Sequence, residues 1–283
     1  MTKEEREFVK IVWEYYKLEG RHEHPWRNLP ADRQGHCDAY RILVSEMMLQ
    51  QTQVGRVLPK YTAFLKTFGT VQKLSKASLG DILRAWQGLG YNRRAKMLHL
   101  CAQKVVSEYK GKFPKTHAEL MKLPGIGHYT AGAVMAFAYN EVVPIIETNI
   151  RTAYIHHFFS DDTDIPDTEI FTYIERTLDH KNPKDWYYAL MDYGMYLKKS
   201  VGNLNNRSKH YTKQSTFKNS DRLIRGAILK LLSEKSLSNG RQGYTRAQLF
   251  KKLPFEKDRI DVQLLKLTEE GLIQKKGSLY QLP

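Results

Sequence analysis

One stretch, Leu123-Pro124-Gly125-Ile126-Gly127-His128-Tyr129-Thr130-Ala131-Gly132-Ala133, restricts the fold more than any other part of this 283-residue chain. Upstream of it, Thr116-x-x-Glu119 has the pattern of a capping box and opens a short helix. Leu123-Pro124 closes that helix, because the residue before a proline avoids the α region. Gly125 and Gly127 permit a tight turn and a close backbone approach. Beyond them Ala131, Val134, Phe137 and Ala138 recur at helical spacing. The pattern predicts helix, Gly-x-Gly hairpin, helix over 117–138, with amide N–H groups gathered where the second helix starts. Such a turn, from Gly125 and Gly127 to His128, Tyr129 and Thr130, suits one phosphate oxygen or a monovalent cation bridging to it. It also serves elsewhere as a plain helix–helix connection.

Charge separates these readings. The chain carries 45 Lys+Arg against 30 Asp+Glu, a formal net charge of +15, which favours a polyanionic partner. Cys37 and Cys101 are too few for a disulfide framework or a four-cysteine metal site. The expectation is a reducing, cytoplasmic location, nucleoid-associated in a prokaryote. No apolar run approaches transmembrane length, and residues 1–7 lack the basic flank and apolar stretch of a signal peptide. A soluble protein with no membrane partner is expected.

Helical periodicity runs through 4–18, 40–65, the stretch after Ser78, 93–109, 149–159, 170–178 and 186–199. Ser78 with Asp81 resembles a second capping box, and Asp167 or Thr168 is expected to cap the helix at 170–178. No segment alternates as a strand does, so residues 1–200 read as all-α. Residues 201–219 are polar and basic, with Asn205, Arg207, Lys209, Lys213 and Lys218 among them, and read as a linker or basic loop. Residues 220–283 then show helices at 221–234, after Tyr244 and at 259–270, ending in a β-hairpin around Gly277-Ser278. That order predicts a small winged-helix domain. Its third helix would meet DNA with the hairpin as wing, although winged helices also dock proteins.

Further motifs stand in a fixed order along residues 24–200. They are Pro25-Trp26, Val44-Ser45-Glu46-Met47-Met48-Leu49-Gln50-Gln51-Thr52-Gln53-Val54, and Trp86-Gln87-Gly88-Leu89-Gly90-Tyr91. After the hairpin come Pro144-Ile145-Ile146-Glu147-Thr148-Asn149-Ile150-Arg151 and Met191-Asp192-Tyr193-Gly194. Together these resemble the helix-hairpin-helix DNA glycosylases of the endonuclease III/MutY superfamily, with the closest likeness to the MutY-type adenine glycosylases. The resemblance implies a two-lobed all-α glycosylase domain over residues 1–200. It also implies base-excision repair, in which a base is flipped out of duplex DNA and its N-glycosidic bond is cut.

Base excision passes through a sugar oxocarbenium ion, and two carboxyl groups in different protonation states can divide the work. Glu46 lies in an otherwise apolar and amide-rich helix, where desolvation raises a carboxyl pKa. The resemblance makes it the general acid that protonates the leaving purine. Glu147 matches the superfamily's catalytic aspartate, which stabilises the oxocarbenium ion, but is one methylene longer; otherwise it is a helix-cap glutamate with no catalytic part. Asn149 matches the asparagine that orients this carboxylate, or is otherwise a helix N-cap. Tyr129 stands where bifunctional relatives carry a lysine. Tyrosine forms no Schiff base, so the resemblance implies a monofunctional hydrolase. Gln50, Gln51 and Tyr91 match residues that enter the duplex, and Arg93, Arg94 and Lys96 are expected phosphate contacts.

Two departures accompany this likeness. Residues 196–217 contain no cysteine, so the four-cysteine iron–sulfur cluster that usually follows the Met-Asp-x-Gly segment has no ligands. Lys198, Lys199, Arg207, Lys209 and Lys213 are expected to supply DNA-facing charge there, and no cofactor is expected for the chemistry. The family's Nudix-like carboxyl-terminal domain has no counterpart in 220–283, where the winged helix is expected instead. The functional expectation is a monofunctional glycosylase, acting as a monomer on double-stranded DNA with a mismatched or damaged base, and removing adenine or a related purine. The alternatives are a thymine/uracil mismatch glycosylase and a catalytically inactive damage- or DNA-binding protein.

Overall fold

The computed structural model describes residues 1–213, 216–217, 219–234 and 243–283. Part of the expected linker, including Lys218, lies outside the described residues. The chain divides into two compact units, each discontinuous in sequence. One comprises residues 1–43, 114–122 and 126–213; the other comprises 44–113, 123–125 and 214–283.

In chain order the helices of the first 200 residues are α1 (Lys3–Glu19), α2 (Ala39–Leu49), α3 (Val54–Thr67), α4 (Val71–Lys76), α5 (Leu79–Ala85) and α6 (Arg93–Glu108). They continue with α7 (His117–Leu120), α8 (His128–Tyr139), α9 (Thr148–Phe158), α10 (Asp167–Thr177) and α11 (Pro183–Ser200). A mostly helical fold was expected, and it is found. The first unit packs α11 on α9 and α1 on α11 around an aromatic core. In it the Phe8 ring lies 4.9 Å from that of Tyr154 and 6.1 Å from that of Trp186. Every residue of α8 from Thr130 to Tyr139 is buried, as an all-round small and apolar sequence requires.

The second unit packs α4 and α5 on α6, with Phe64, Leu74, Ile82, Trp86 and Leu98 at its centre. Its remainder is α12 (Asp221–Glu234), β1 (Tyr244–Thr245), α13 (Arg246–Lys252), α14 (Lys257–Glu269), β2 (Gln274–Lys276) and β3 (Leu279–Gln281). The strands form an antiparallel sheet of order β1-β3-β2, with Lys275 opposite Tyr280. Helix α12 packs on both α14 and α5.

Three local expectations need correction. Residues 40–65 form two helices, broken at Gln50–Gln53, where Gln51 adopts a left-handed backbone (φ 52°). Pro166, not Asp167 or Thr168, precedes the first turn of α10, because the Asp167 carboxylate is taken by Arg151 in two 2.8 Å hydrogen bonds. Strand β1 has no counterpart in the sequence reading, since two residues are too few to show alternation.

Candidate active site

Glu147 is itself the cap of α9. Its backbone is extended (φ −140°, ψ −179°), and the side chain folds back over the first turn. Oε1 accepts from the amides of Asn149 (2.8 Å) and Ile150 (2.9 Å), and Oε2 accepts from Asn149 Nδ2 (3.2 Å). Folding back in this way accommodates the extra methylene of glutamate. It also places an anion at the positive end of an eleven-residue helix. Enclosure among protein atoms raises the proton affinity of the carboxyl group, while the three donors and Arg151 lower it; the enclosure wins, and its pKa lies above the ordinary glutamate value. Asn149 is therefore not the N-cap. It sits one residue into the helix and donates to the cap.

Neighbouring residues of the first unit hold this turn in place. A Cβ on Gly194 would lie 1.9 Å from the Asn149 carbonyl oxygen, so the backbones of α11 and α9 approach where only glycine fits. Two residues earlier, the buried Asp192 accepts from Arg21 Nε (2.7 Å) and the Arg21 amide (2.8 Å), and from both terminal nitrogens of Arg27 (2.7 Å each). From the loop after α11, Asn205 Nδ2 donates to Thr148 O (3.0 Å) and Thr152 Oγ1 (2.7 Å). Arg207 donates to the carbonyls of Phe159 and Asp162. Arg207 thus faces protein rather than DNA, whereas Lys198, Lys199, Lys209 and Lys213 are exposed. The two cysteines of the sequence, Cys37 and Cys101, are both buried. Residues 205–207 tie their loop to the protein.

The hairpin follows the expected local logic. Thr116 Oγ1 accepts from the Glu119 amide (3.3 Å) and opens α7. Gly125 is left-handed (φ 77°), and a Cβ there would lie 2.6 Å from Met97 Cβ. A Cβ on Gly127 would meet nothing within 4 Å. Glycine at that position keeps space open at the start of α8 rather than serving packing, and it places no side chain on the first amides. The exposed His128 accepts through its carbonyl from His117 Nε2 (3.1 Å), and Tyr129 is half-buried. The Thr130 side chain is only 3 % exposed. Any part it takes in ligand binding is limited to its N–H, a correction that the helical turn imposes.

In the second unit Glu46 is 8 % exposed, between the buried Ser45, Met47 and Met48 of α2. The chain then turns through the half-buried Gln50 and the exposed Gln51. A second turn holds left-handed Gly88, Gly90 and Tyr91 (φ 45°), with the Tyr91 side chain at the surface. Thr52 Oγ1 donates to Leu89 O (3.3 Å) across the two turns, and Arg94 joins them most extensively. Its Nη1 donates to the carbonyls of Met47 (2.6 Å), Met48 (3.0 Å) and Gln50 (2.6 Å). Its Nη2 donates to Thr52 Oγ1 (3.0 Å), Leu89 O (3.2 Å) and Gly90 O (3.1 Å). Arg94 is buried and is no phosphate contact, whereas Arg93 is exposed. Sequence reasoning missed this fork, and it missed Asn205, for which the sequence carries no signal.

Known proteins resemble this chain in sequence and in fold. Residues 44–178 match the model of the HhH-GPD superfamily base excision DNA repair proteins. Over 130 residues, 46% of this chain and 44% of the relative, the sequence is 48% identical to an adenine DNA glycosylase of Mycolicibacterium smegmatis. It is 36% identical over 176 residues, 60% of this chain and 34% of the relative, to an adenine DNA glycosylase of Mus musculus. The chain thus spans less than half the length of these curated relatives. The structure of a thermostable thymine-DNA glycosylase superposes with a TM-score of 0.57 at 24% identity, over 68% of this chain and 86% of that one. The capped glutamate, the Gly-x-Gly hairpin and the glutamine turn all lie in the stretch that matches the HhH-GPD superfamily model, and the chain has the fold of the solved glycosylase.

Proposed function

We propose that this protein is a monofunctional DNA glycosylase of base-excision repair, which extrudes a mispaired adenine from duplex DNA and hydrolyses its N-glycosidic bond. The observation that carries the reading is the Glu147 carboxylate, fixed by three donors at the head of α9. As the C1′–N bond breaks, its electron pair goes to the purine and positive charge develops on the sugar. An ionised Glu147 stabilises that charge without reorganising. Glu46 gives its proton to the purine ring. Water then bonds to C1′ through its oxygen and returns a proton to the Glu46 carboxylate. The turns bearing Gln50, Gln51 and Tyr91 enter the duplex, and the open face of Gly127 receives a phosphate.

The names of the matched relatives support adenine as the base. A thymine or uracil mismatch is the second reading, supported by Tyr129 in the lysine position. Residues 220–283 are read as a winged helix, which the order helix, strand, helix, helix, strand, strand supports.

The test is single-turnover base release from duplexes holding A, T, U or hypoxanthine opposite G and 8-oxoguanine, with alkaline cleavage as readout. Release of adenine is expected. Glu46→Gln should slow it by about 10²–10⁴-fold, the usual loss of a general acid. Glu147→Gln should slow it by roughly a hundredfold or more. The working form of Glu147 is the anion and its pKa is raised. The rate should therefore fall with decreasing pH along a limb above the ordinary glutamate value, and Glu147→Gln should remove that limb. Release of thymine or uracil alone would select the second reading. Binding without release on any duplex would overturn both.

A further inference from the structure

Residues 220–283 share a compact unit with the helices that carry the two reading turns, and hydrogen bonds join them at Gly80, Gln87, Tyr91 and Lys96. The Gly80 amide donates to Pro283 O (3.0 Å), Gln87 Nε2 to Ser233 Oγ (3.0 Å), and Lys96 to the Glu270 carbonyl. These three ties bracket the loop of Tyr91 on both sides. The fourth reaches its ring, since Arg222 Nη1 donates to Tyr91 Oη at 2.7 Å. The same guanidinium lies 5.9 Å from the Tyr91 ring centroid and 6.0 Å from that of Phe217.

Tyr91 is thereby held at both ends. Arg94 binds the main chain of its turn from inside, and Arg222 holds the phenol from outside. A bulky residue at φ 45° is an uncommon conformation that persists only where the surroundings impose it. Arg222 is itself rigidly carried. Its neighbour Asp221 pairs with Arg259 (2.9 Å), and Arg225 pairs with Glu270 (2.6 Å). Two cations in the first turns of α12 oppose the helix dipole, so helix stability does not explain why Arg222 stands there. An aromatic ring that wedges beside a base discriminates among bases only if its plane stays fixed while the base stacks on it. A phenol anchored by a guanidinium meets that condition.

We propose that Arg222 is a positioning residue for Tyr91, and that through it the C-terminal module sets how strongly the protein distinguishes the base opposite the one it removes. The inference rests on the reading of Tyr91 as a residue that enters the duplex.

The test is a double-mutant cycle on the full chain with Tyr91→Phe, which removes only the hydroxyl, and Arg222→Ala. The readout is equilibrium affinity for duplexes holding a stable tetrahydrofuran abasic analogue opposite G or opposite 8-oxoguanine, and it requires no catalysis. Each single substitution is expected to lower the ratio of the two affinities by about tenfold, the scale of one charge-assisted hydrogen bond. The double substitution should lower it no further. Multiplying effects would overturn the proposal. So would an Arg222→Ala loss equal on both duplexes with a shallower salt dependence, which marks a plain phosphate contact. If the unaltered protein releases no base from any duplex, the proposed function fails, while the affinity ratio still decides the coupling.

Discussion

The guanidinium of Arg94 fills a space on which six oxygens converge, five carbonyls and one hydroxyl. Arg93 and Arg94 read alike in sequence, but consecutive helical residues point about 100° apart, so one meets solvent and the other the interior. Sequence alone does not tell which. Removing the fork strips its donor from the carbonyls of Met47 and Met48, while those of Gln50, Leu89 and Gly90 keep a donor in Thr52 or Trp86. Arg94→Ala is expected to cost about 3 kcal/mol of unfolding free energy, read from urea denaturation. Arg94→Lys should recover little, since one ammonium cannot serve both sides of the fork. A loss within 0.5 kcal/mol, the usual scale of a surface substitution, would remove Arg94 from this role. Glu147 was legible as a carboxylate of interest or as a helix cap; that it takes two amides and Asn149 Nδ2 at once was not, because capping geometry depends on how the preceding residue enters the turn.

At the scale of elements, the approach of α11 to α9 at Gly194 controls where Glu147 stands. Gly194→Ala forces a methyl group onto the Asn149 carbonyl, and α9 must move. A loss of about 3 kcal/mol of stability is expected from the overpacking. Base release should also fall by on the order of a hundredfold at temperatures where the variant remains folded. Retention of full activity in a folded variant would show that this contact does not place the carboxylate. Most helices were legible from apolar spacing, since that spacing reports the face that is buried. The break at Gln50–Gln53 was not. It contains no glycine or proline, and Arg94, more than forty residues away in sequence, makes it.

Two groups of the first unit show how the molecule responds to acid. Burial pulls the His157 imidazole, 2.9 Å from Tyr193 Oη, down to about 4. An unfolded histidine takes its proton near 6.5, so the unfolded chain binds protons first, and stability is lost progressively as pH falls from 6.5 to 4. Burial alone would raise Asp192, but the hydrogen bonds and charge of Arg27, with the charge of Arg21, hold it below the ordinary 3.8. Its contribution is complete above that value and lost as pH falls through the lowered one. Urea midpoints between pH 7 and 3 should therefore decline in two stages, and His157→Gln should shrink the first, leaving the share of His24 and His99, whose imidazoles burial also lowers. A flat profile from 6.5 to 4 would refute the assignment. Periodicity does not report what covers a buried face. The grouping of residues 1–43 with 126–213, which brings Arg21 and Arg27 to Asp192, therefore lay beyond the sequence reading.

Asn205 and Arg207 grip α9 and the loop beyond it with an amide and a guanidinium. Peroxide oxidises neither group, and no chelator withdraws either. The first turn of α9, and the carboxylate that caps it, take their place when the chain folds. They then hold that place under oxidising conditions, since neither tie runs through a thiolate.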